Sequence, residues 1–355
     1  MANTTKILLI NNGYPTRHRP TYTPYIRNIE VCLQQAGFET QKLVIEYNRK
    51  ITPLYKIVKY ITFWWKCLFK SVRCEYVYIN HIPSCWPIAF NPFLLKRKKF
   101  IHWHGCDLRR DTRFYKFIKK ILRPTIIKSQ NIVPSQFFAE ELRKYFPDII
   151  NDICVSPSGG IDTDLFTNRP SPHEEIILGF SGGLIKEKGA DTLIYLMEHC
   201  EEIENAIGRQ IKFHIINFGR QAEYYLQRIS QIASCKYKIF SMIEHRDMGD
   251  FFNSLDIFLA PYRYEGESLG LALLEAMSCN VPVLCTQKKP FTEFISPLKT
   301  GEPVEYSPDL SLFNRNFKSA LISLIKNIDS YSPRQLVVEK YSMHHVVRMY
   351  EEILK

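Results

Sequence analysis

The chain reads as an α/β protein whose parallel sheets are divided between two domains. Three observations predict this. Its 355 residues, 45% of them apolar and 13% aromatic, are enough to bury two full cores. The opening alternates strand, loop, helix and strand: Lys6 to Asn11 (KILLIN) is a buried strand, Tyr25 to Ala36 an amphipathic helix stopped at Gly37, and Thr40 to Ile45 a second strand. A second such unit lies far downstream, where the strand Ser254 to Ala260 (SLDIFLA) leads through a loop and a leucine-rich helix to the strand Val281 to Thr286 (VPVLCT).

The remaining elements follow in order. Glu75 to Ile79 and Lys99 to Trp103 are short strands, the second followed by His104-Gly105-Cys106-Asp107. Asn131 to Pro134 is a strand before Ser135, an N-cap for the helix QFFAEELRKYF. Pro-rich, polar TNRPSPHEE reads as a linker. Beyond it, Ile176 to Ser181 opens a second domain. The loop GGLIKEKG leads to a helix from about Ala190, Lys212 to Asn217 and Tyr237 to Phe240 are strands, and MGDFFNSL is a helix. Lys340 to Leu354 is expected to be one final amphipathic helix.

The chemistry concentrates in residues 264 to 286. Glu275 sits among Leu271, Ala272, Leu273, Leu274, Ala276 and Met277, so a carboxylate is buried in an apolar helix and needs a partner. Glu267 lies in the loop before it, with Gly270 between them to admit a ligand against the backbone. In parallel sheets, ligands bind beyond the carboxyl ends of strands, where Glu267 falls. Two carboxylates at a helix mouth suit a ligand with several hydroxyls. Upstream, Gly182 and Gly183 before a helix offer N–H donors to phosphate, and Lys188 adds a point charge.

Glu267, the seven residues SLGLALL, Glu275, Ala276-Met277 and the Pro282-Val283 strand together resemble the retaining glycosyltransferases of family 4, glycosyl transferases group 1. That resemblance implies the GT-B fold: two Rossmann-like α/β/α domains facing a central cleft, with a C-terminal helix crossing back to the first. It implies an acceptor-binding domain over residues 1–168, a nucleotide-sugar-binding domain over 169–335, and a terminal helix over 336–355. VSPSGGIDTDLF at Val155 to Phe166 is similar to the family's segment closing the first domain. Where the family has a Gly-Gly pair in the first loop, this chain has Thr21-Tyr22-Thr23-Pro24.

Site roles carry over residue by residue. Lys188 meets the donor diphosphate, and Glu275 accepts from ribose hydroxyls. Glu267 accepts from the transferred sugar, and the N–H groups of Leu269, Gly270 and Leu271 hold the β-phosphate. Ile243 to Arg246 lies near the base, and His104 near the sugar, though a lone histidine is more often structural. Many relatives have an arginine at the position of Gly183; its absence means one fewer cation at the pyrophosphate unless Arg220 or Arg263 substitutes. Asp162-Thr163-Asp164 imitates a metal-binding DxD motif but falls in the segment before the linker, where turn and cap residues belong. No metal or other cofactor is expected beyond the nucleotide-sugar substrate.

Charge is divided unevenly. Residues 1–150 carry 26 Lys/Arg against 9 Asp/Glu, and residues 151–355 carry 21 against 27, which points to an anionic partner for the first half. In residues 53 to 73 (PLYKIVKYITFWWKCLFKSVR), Lys56, Lys59, Lys66, Lys70 and Arg73 follow one helical face, while Leu54, Ile57, Val58, Ile61, Trp64, Trp65, Leu68 and Phe69 fill much of the rest. Such a helix suits an anionic bilayer interface, or else packs on the first sheet. Lys116 to Lys128 adds a second basic stretch.

No apolar run approaches the ~20 residues of a membrane span, and the first residues lack a signal-peptide pattern. Ten scattered cysteines read as small buried residues of a reducing compartment. The expected protein is cytoplasmic, on the inner face of the cell membrane, moving a sugar from a UDP- or GDP-linked donor to a glycolipid or lipid-linked oligosaccharide of a bacterial surface polysaccharide. Two other readings stay open. A basic nucleic-acid-binding protein leaves Glu275 unexplained and shows no recognisable binding motif, and a sugar-nucleotide sensor would have no activity. A dinucleotide oxidoreductase is disfavoured because no GxGxxG follows the first strand.

Overall fold

The computed structural model describes residues 5–19, 22–48, 51–170, 172–263 and 266–354, so Thr21, Ser171, Tyr264 and Glu265 from the motifs above lie outside the described residues. The chain forms two compact units, Met1–Gly160 with Met343–Lys355, and Ile161–Ser342. Each holds one six-stranded, all-parallel sheet.

The first sheet contains β1 (Lys6–Tyr14), β2 (Glu39–Glu46), β3 (Tyr76–Asn80), β4 (Lys98–His102), β5 (Gln130–Val133) and β6 (Cys154–Val155) in the order β2-β1-β3-β4-β5-β6. Strand alternation sorts its side chains between two layers. Leu8, Ile10, Val77, Ile79 and Ile101 join the core under the helices Pro53–Phe69, Arg113–Lys128 and Gln136–Tyr145. Ile7, Leu9, Tyr78, Phe100 and Ile132 face the opposite layer, made by the helices Tyr25–Gln35 and Met343–Ile353. There the Tyr78 and Tyr350 hydroxyls share a buried hydrogen bond of 2.8 Å, which ties the last helix to the middle of the sheet.

The second sheet contains β7 (Ile176–Phe180), β8 (Ile211–Ile216), β9 (Lys236–Phe240), β10 (Ile257–Ala260), β11 (Val283–Gln287) and β12 (Gly301–Glu305) in the order β12-β11-β10-β7-β8-β9. Strand order reverses between β7 and β10, which pair through Ile257 with Leu178 and Phe258 with Gly179. A crevice at the carboxyl ends of such a pair is where open parallel sheets bind ligands.

The expected final helix Lys340 to Leu354 is found as Met343–Ile353, starting three residues later because a separate helix, Arg334–Lys340, precedes it. The break at Tyr341-Ser342 has a cause: the Tyr341 carbonyl accepts from the Ile161 N–H at 2.8 Å, and Ser342 bridges to Ile161. The β12 and β6 segments, too short or too polar to read as strands, complete the sheet edges. Of the ten cysteines, all are buried except Cys106 and the half-buried Cys154.

Within the second unit Arg334 joins two other chain segments. Its guanidinium donates to the carbonyls of Phe166 at 2.7 Å, Thr163 at 3.1 Å and Ser278. Replacing Arg334 by Ala removes charged donors and leaves these carbonyls underserved, so stability is expected to fall by about 2–3 kcal/mol. An unchanged denaturation midpoint in the Arg334→Ala protein would mean that water serves the three carbonyls equally well.

Candidate functional site

The loops after β7 and β10 converge because their strands are neighbours at the switch point. The β7 loop carries Gly182, Gly183 and Lys188 before the helix Ala190–Glu198, and the β10 loop carries Tyr262, Arg263, Glu267, Leu269 and Gly270 before the helix Leu271–Ser278. Two of these glycines are required by geometry. Gly270 sits at φ +87°, and a Cβ there would come within 2.7 Å of the Phe291 ring. Gly182 lies so close to Tyr262 that a Cβ would meet its ring at 2.7 Å. Gly183 faces the Phe218 ring.

Lys188 and Glu267, 79 residues apart in sequence, meet here. Lys188 Nζ donates to Glu267 Oε2 at 2.5 Å and lies 4.1 Å above the centroid of the buried Tyr262 ring. Both members of the pair are about one-fifth exposed. A lysine held by a carboxylate and an aromatic face is fixed without being neutralised, and an incoming polyanion can compete for it. The backbone N–H groups of Leu269, Gly270 and Leu271 make no intramolecular hydrogen bond among the described residues. They are free donors at a helix start, where the dipole favours an anion.

Glu275 finds the partner its sequence context demands. His245 Nε2 lies 2.9 Å from Glu275 Oε1, and the carboxylate side chain is only 12% exposed. The hydrogen bond to Glu275 raises the His245 pKa above its ordinary value, against the opposing effect of burial. The His245 ring also packs edge-on to Phe166, with centroids 5.4 Å apart. Glu275 Oε2 keeps no partner among the described residues and can accept from a ligand. The segment Ile243 to Arg246 was expected near this site, but the Glu275–His245 pair was not. The one signal for it was a histidine in a loop expected to face the same ligand as a buried carboxylate.

The two arginines considered as substitutes at the Gly183 position are already committed. Arg263 donates to Asp191 Oδ2 at 2.6 Å and to the Lys186 carbonyl at 3.0 Å, and Tyr225 donates to the other Asp191 oxygen at 2.8 Å. Arg220 pairs with Glu187. Lys188 differs from both in being paired with a carboxylate, Glu267, that is itself a candidate site residue. Asp162 accepts from the N–H groups of Asp164 at 3.1 Å and Leu165 at 3.0 Å, which makes Asp162-Thr163-Asp164 a turn.

In the first unit, His104 follows β4 and precedes Gly105 at φ +105°. Asn80 donates through Nδ2 to the Ile10 carbonyl, so its Oδ1 faces His104 and accepts from Nε2–H at 2.9 Å. This places the His104 proton on Nε2 and leaves Nδ1 as an acceptor. The ring lies between Tyr25, 4.6 Å away, and His102, stacked at 4.4 Å. Burial first, then His102 and His81, hold its pKa well below the ordinary imidazole value, so it is neutral at pH 7. Asp107 is buried beside it and accepts from the backbone N–H groups of His104 and Leu108. His102, pushed down to about 3 by burial, hydrogen-bonds through Nδ1 with the Tyr78 hydroxyl at 2.9 Å.

The expected membrane helix runs from Pro53 to Phe69, capped by Thr52. Lys56, Trp65, Lys66 and Lys70 are exposed. Trp64 departs from the expectation: it is half-buried, packs on Trp86 and Tyr60, and donates to the Ser84 carbonyl at 2.8 Å. Lys59 is half-buried over the Tyr55 ring.

Residues 162–323, which include Lys188, His245, Glu267 and Glu275, match the family model described as glycosyl transferases group 1. A 136-residue stretch is 31% identical to a GDP-mannose-dependent monoacylated alpha-(1-6)-phosphatidylinositol monomannoside mannosyltransferase of Corynebacterium glutamicum. That stretch is 37% of this chain and 34% of that protein, so the similarity spans about a third of the relative's length. Among solved structures, a sucrose-phosphate synthase from Thermosynechococcus elongatus superposes with TM-score 0.71 at 14% identity over 99% of this chain and 98% of that one. Anabaena Alr3699/HepE in complex with UDP and glucose superposes with TM-score 0.66, also at 14% identity, over 99% of each chain. These likenesses show the fold: two parallel six-stranded sheets with flanking helices, the GT-B architecture.

His245 gives the site a pH signature. Its folded pKa lies above the ordinary value of about 6.5, so the ion pair stabilises fully below that pH and is lost as pH rises through the folded value. The Tm difference between the native chain and His245→Gln is expected to be larger at pH 6 than at pH 9. Equal differences at the two pH values would show that His245 is neutral throughout.

Proposed function

We propose that the protein is a retaining, metal-independent glycosyltransferase. It transfers a sugar from a UDP- or GDP-linked donor to a glycolipid or lipid-linked oligosaccharide of a bacterial surface polysaccharide such as O-antigen, capsule or lipopolysaccharide core. The observation that carries the reading is the meeting of Lys188 with Glu267 at the switch point, beside free N–H donors and a second carboxylate on Glu275. The family match over residues 162–323 supports the reaction class. The lipid substrate in the mannosyltransferase's name and the UDP and glucose bound to the Anabaena protein support the substrate classes.

The residues divide the work. On donor binding the diphosphate draws Lys188 from Glu267, and sugar hydroxyls donate to the released carboxylate. The free Glu275 oxygen accepts from the ribose hydroxyls. The N–H groups of residues 269–271 hold the phosphate from which the sugar departs. As the anomeric carbon–oxygen bond breaks, negative charge grows on that phosphate, where preorganised donors and Lys188 stabilise it most. The acceptor hydroxyl bonds to the anomeric carbon and gives its proton to the leaving phosphate. His104, neutral and with Nδ1 open, is suited to accept from a sugar hydroxyl; it is not needed as a base. The protein acts at the inner face of the cell membrane.

The first test is donor binding and slow donor hydrolysis with UDP-, GDP-, ADP- and CMP-sugars, with and without EDTA. Thermal stabilisation by one nucleotide class, unchanged by EDTA, is expected. Loss of the response in EDTA would overturn metal independence. Glu275→Ala is expected to abolish turnover and Lys188→Ala to lower it about 100- to 1,000-fold. Normal turnover in Glu275→Ala would overturn the site assignment.

A further inference from the structure

We propose that one whole layer of the first unit is a docking face for an anionic phospholipid surface. The proposal rests on the glycosyltransferase reading only for its purpose, access to a lipid-linked acceptor. Its physical basis is independent of donor chemistry.

The helix Pro53–Phe69 buries one narrow line, Phe63 and Cys67, against the sheet. Its outer side is apolar: Leu54, Ile57, Val58, Ile61, Trp65 and Phe69 are each 47–71% exposed. Their spacing of three and four residues makes them one continuous stripe. An outer helix face is normally charged, and a large exposed apolar patch marks an interaction surface.

This stripe has neighbours that no local sequence pattern announces. The helices Pro53–Phe69 and Arg113–Lys128 both pack against the turn Trp86–Phe90, and all three cover the same face of the sheet. Their outer sides therefore look away from the sheet in a common direction. The turn and the loop after it expose Phe90, Phe93 and Leu95. The second helix exposes Phe114, Phe117 and Ile121.

Charge selects the occupant. Residues 53–73, 86–99 and 113–128 contain fifteen Lys or Arg and not one Asp or Glu. A few of these cations are spent internally: Lys119 is buried and donates to the Leu108 carbonyl, Lys99 serves the carbonyls of Leu94, Leu95 and Arg97, and Arg123 pairs with Asp148. Lys56, Lys66, Lys70, Lys96, Arg97 and Lys120 stand exposed, with no carboxylate partner among the described residues. Aliphatic and aromatic side chains ringed by unpaired cations fit the boundary between lipid headgroups and acyl chains. A second copy would set two cationic faces together, which like charges oppose. A nucleic acid would leave Leu54, Ile57, Val58 and Ile61 without stacking partners. Among the described residues no helix is long and apolar enough to cross a membrane.

Flotation of the full-length protein with phosphatidylcholine vesicles, with and without roughly 30% phosphatidylglycerol, tests the proposal without donor or turnover. Binding is expected with the anionic vesicles at about 0.15 M salt, weakened at higher salt. The double variant Trp65→Glu/Phe93→Glu should lose at least tenfold in vesicle binding. Both positions are solvent-facing, so its melting temperature should hold, and its thermal shift with nucleotide sugars should match that of the native chain. Equal flotation with neutral and anionic vesicles would overturn the proposal, as would retained binding by the double variant. So would a native dimer that the double variant dissolves, which would make a second copy the occupant, or retention on oligonucleotides that vesicles do not displace. A donor thermal shift that appears without vesicle binding would sink this inference and leave the enzyme reading standing; the converse result would do the reverse.

Discussion

Glu275 occupies a helix whose neighbours Leu273, Leu274, Ala276 and Met277 are fully removed from water. A carboxylate there without a partner would cost several kcal/mol or give up its charge. His245 resolves the conflict by bringing a matching imidazole from the loop before the helix Met248–Asn253, with Phe166 against its ring. Much of the second unit is arranged around this helix. Ser278 at its end donates to the Phe166 carbonyl at 2.6 Å, and Arg334 ties that same carbonyl to Ser278 and Thr163. An apolar residue at position 275 would pack more simply, so the carboxylate is explained by something outside the fold's own needs. Its free oxygen, at the mouth of the site, supplies that explanation.

The Lys188–Glu267 pair follows a different logic. Neither group is deeply buried, so the pair is worth little to stability. It keeps each partner oriented while no ligand is present: the carboxylate prevents the lysine from wandering, and the Tyr262 ring fixes its direction. A donor carrying both phosphates and hydroxyls can replace both halves of the pair at once, whereas free phosphate replaces only one. On the proposed reading, the arrangement would favour a sugar diphosphate over its separate pieces. Arg263 and Arg220 are paired instead with Asp191 and Glu187.

Much of this was legible in the residues, and the reason differs from place to place. Strands such as KILLIN and IFLA announce themselves because both of their faces are buried. The buried Glu275 stood out because an isolated carboxylate in a leucine run contradicts its surroundings. Its partner was hidden, since 30 residues separate His245 from Glu275 and no local pattern encodes that contact. The break at Tyr341-Ser342 was hidden for the same reason, because it is made by Ile161. Trp64 and Trp65 show the limit of helical periodicity. Adjacent residues differ by about 100° around the axis, and only the position of the sheet decides which of the two faces water.

The two layers of the first unit make the clearest comparison. One layer closes on itself. The helix Met343–Ile353 returns to cover it, and the Tyr78–Tyr350 hydrogen bond is bonded onward to His102, whose far nitrogen has no partner among the described residues. The other layer is built from the helices Pro53–Phe69, Arg113–Lys128 and Gln136–Tyr145, and its outer side keeps Leu54, Ile61, Trp65, Phe93 and Phe117 in water. A chain able to bury one layer so completely is not short of means to cover the second. Polar substitutions on an outer helix face cost little, because nothing packs there. The apolar stripe is therefore hard to attribute to the fold. The cations interleaved with it, in stretches without a single carboxylate, fit a flat surface that is itself negative and greasy beneath.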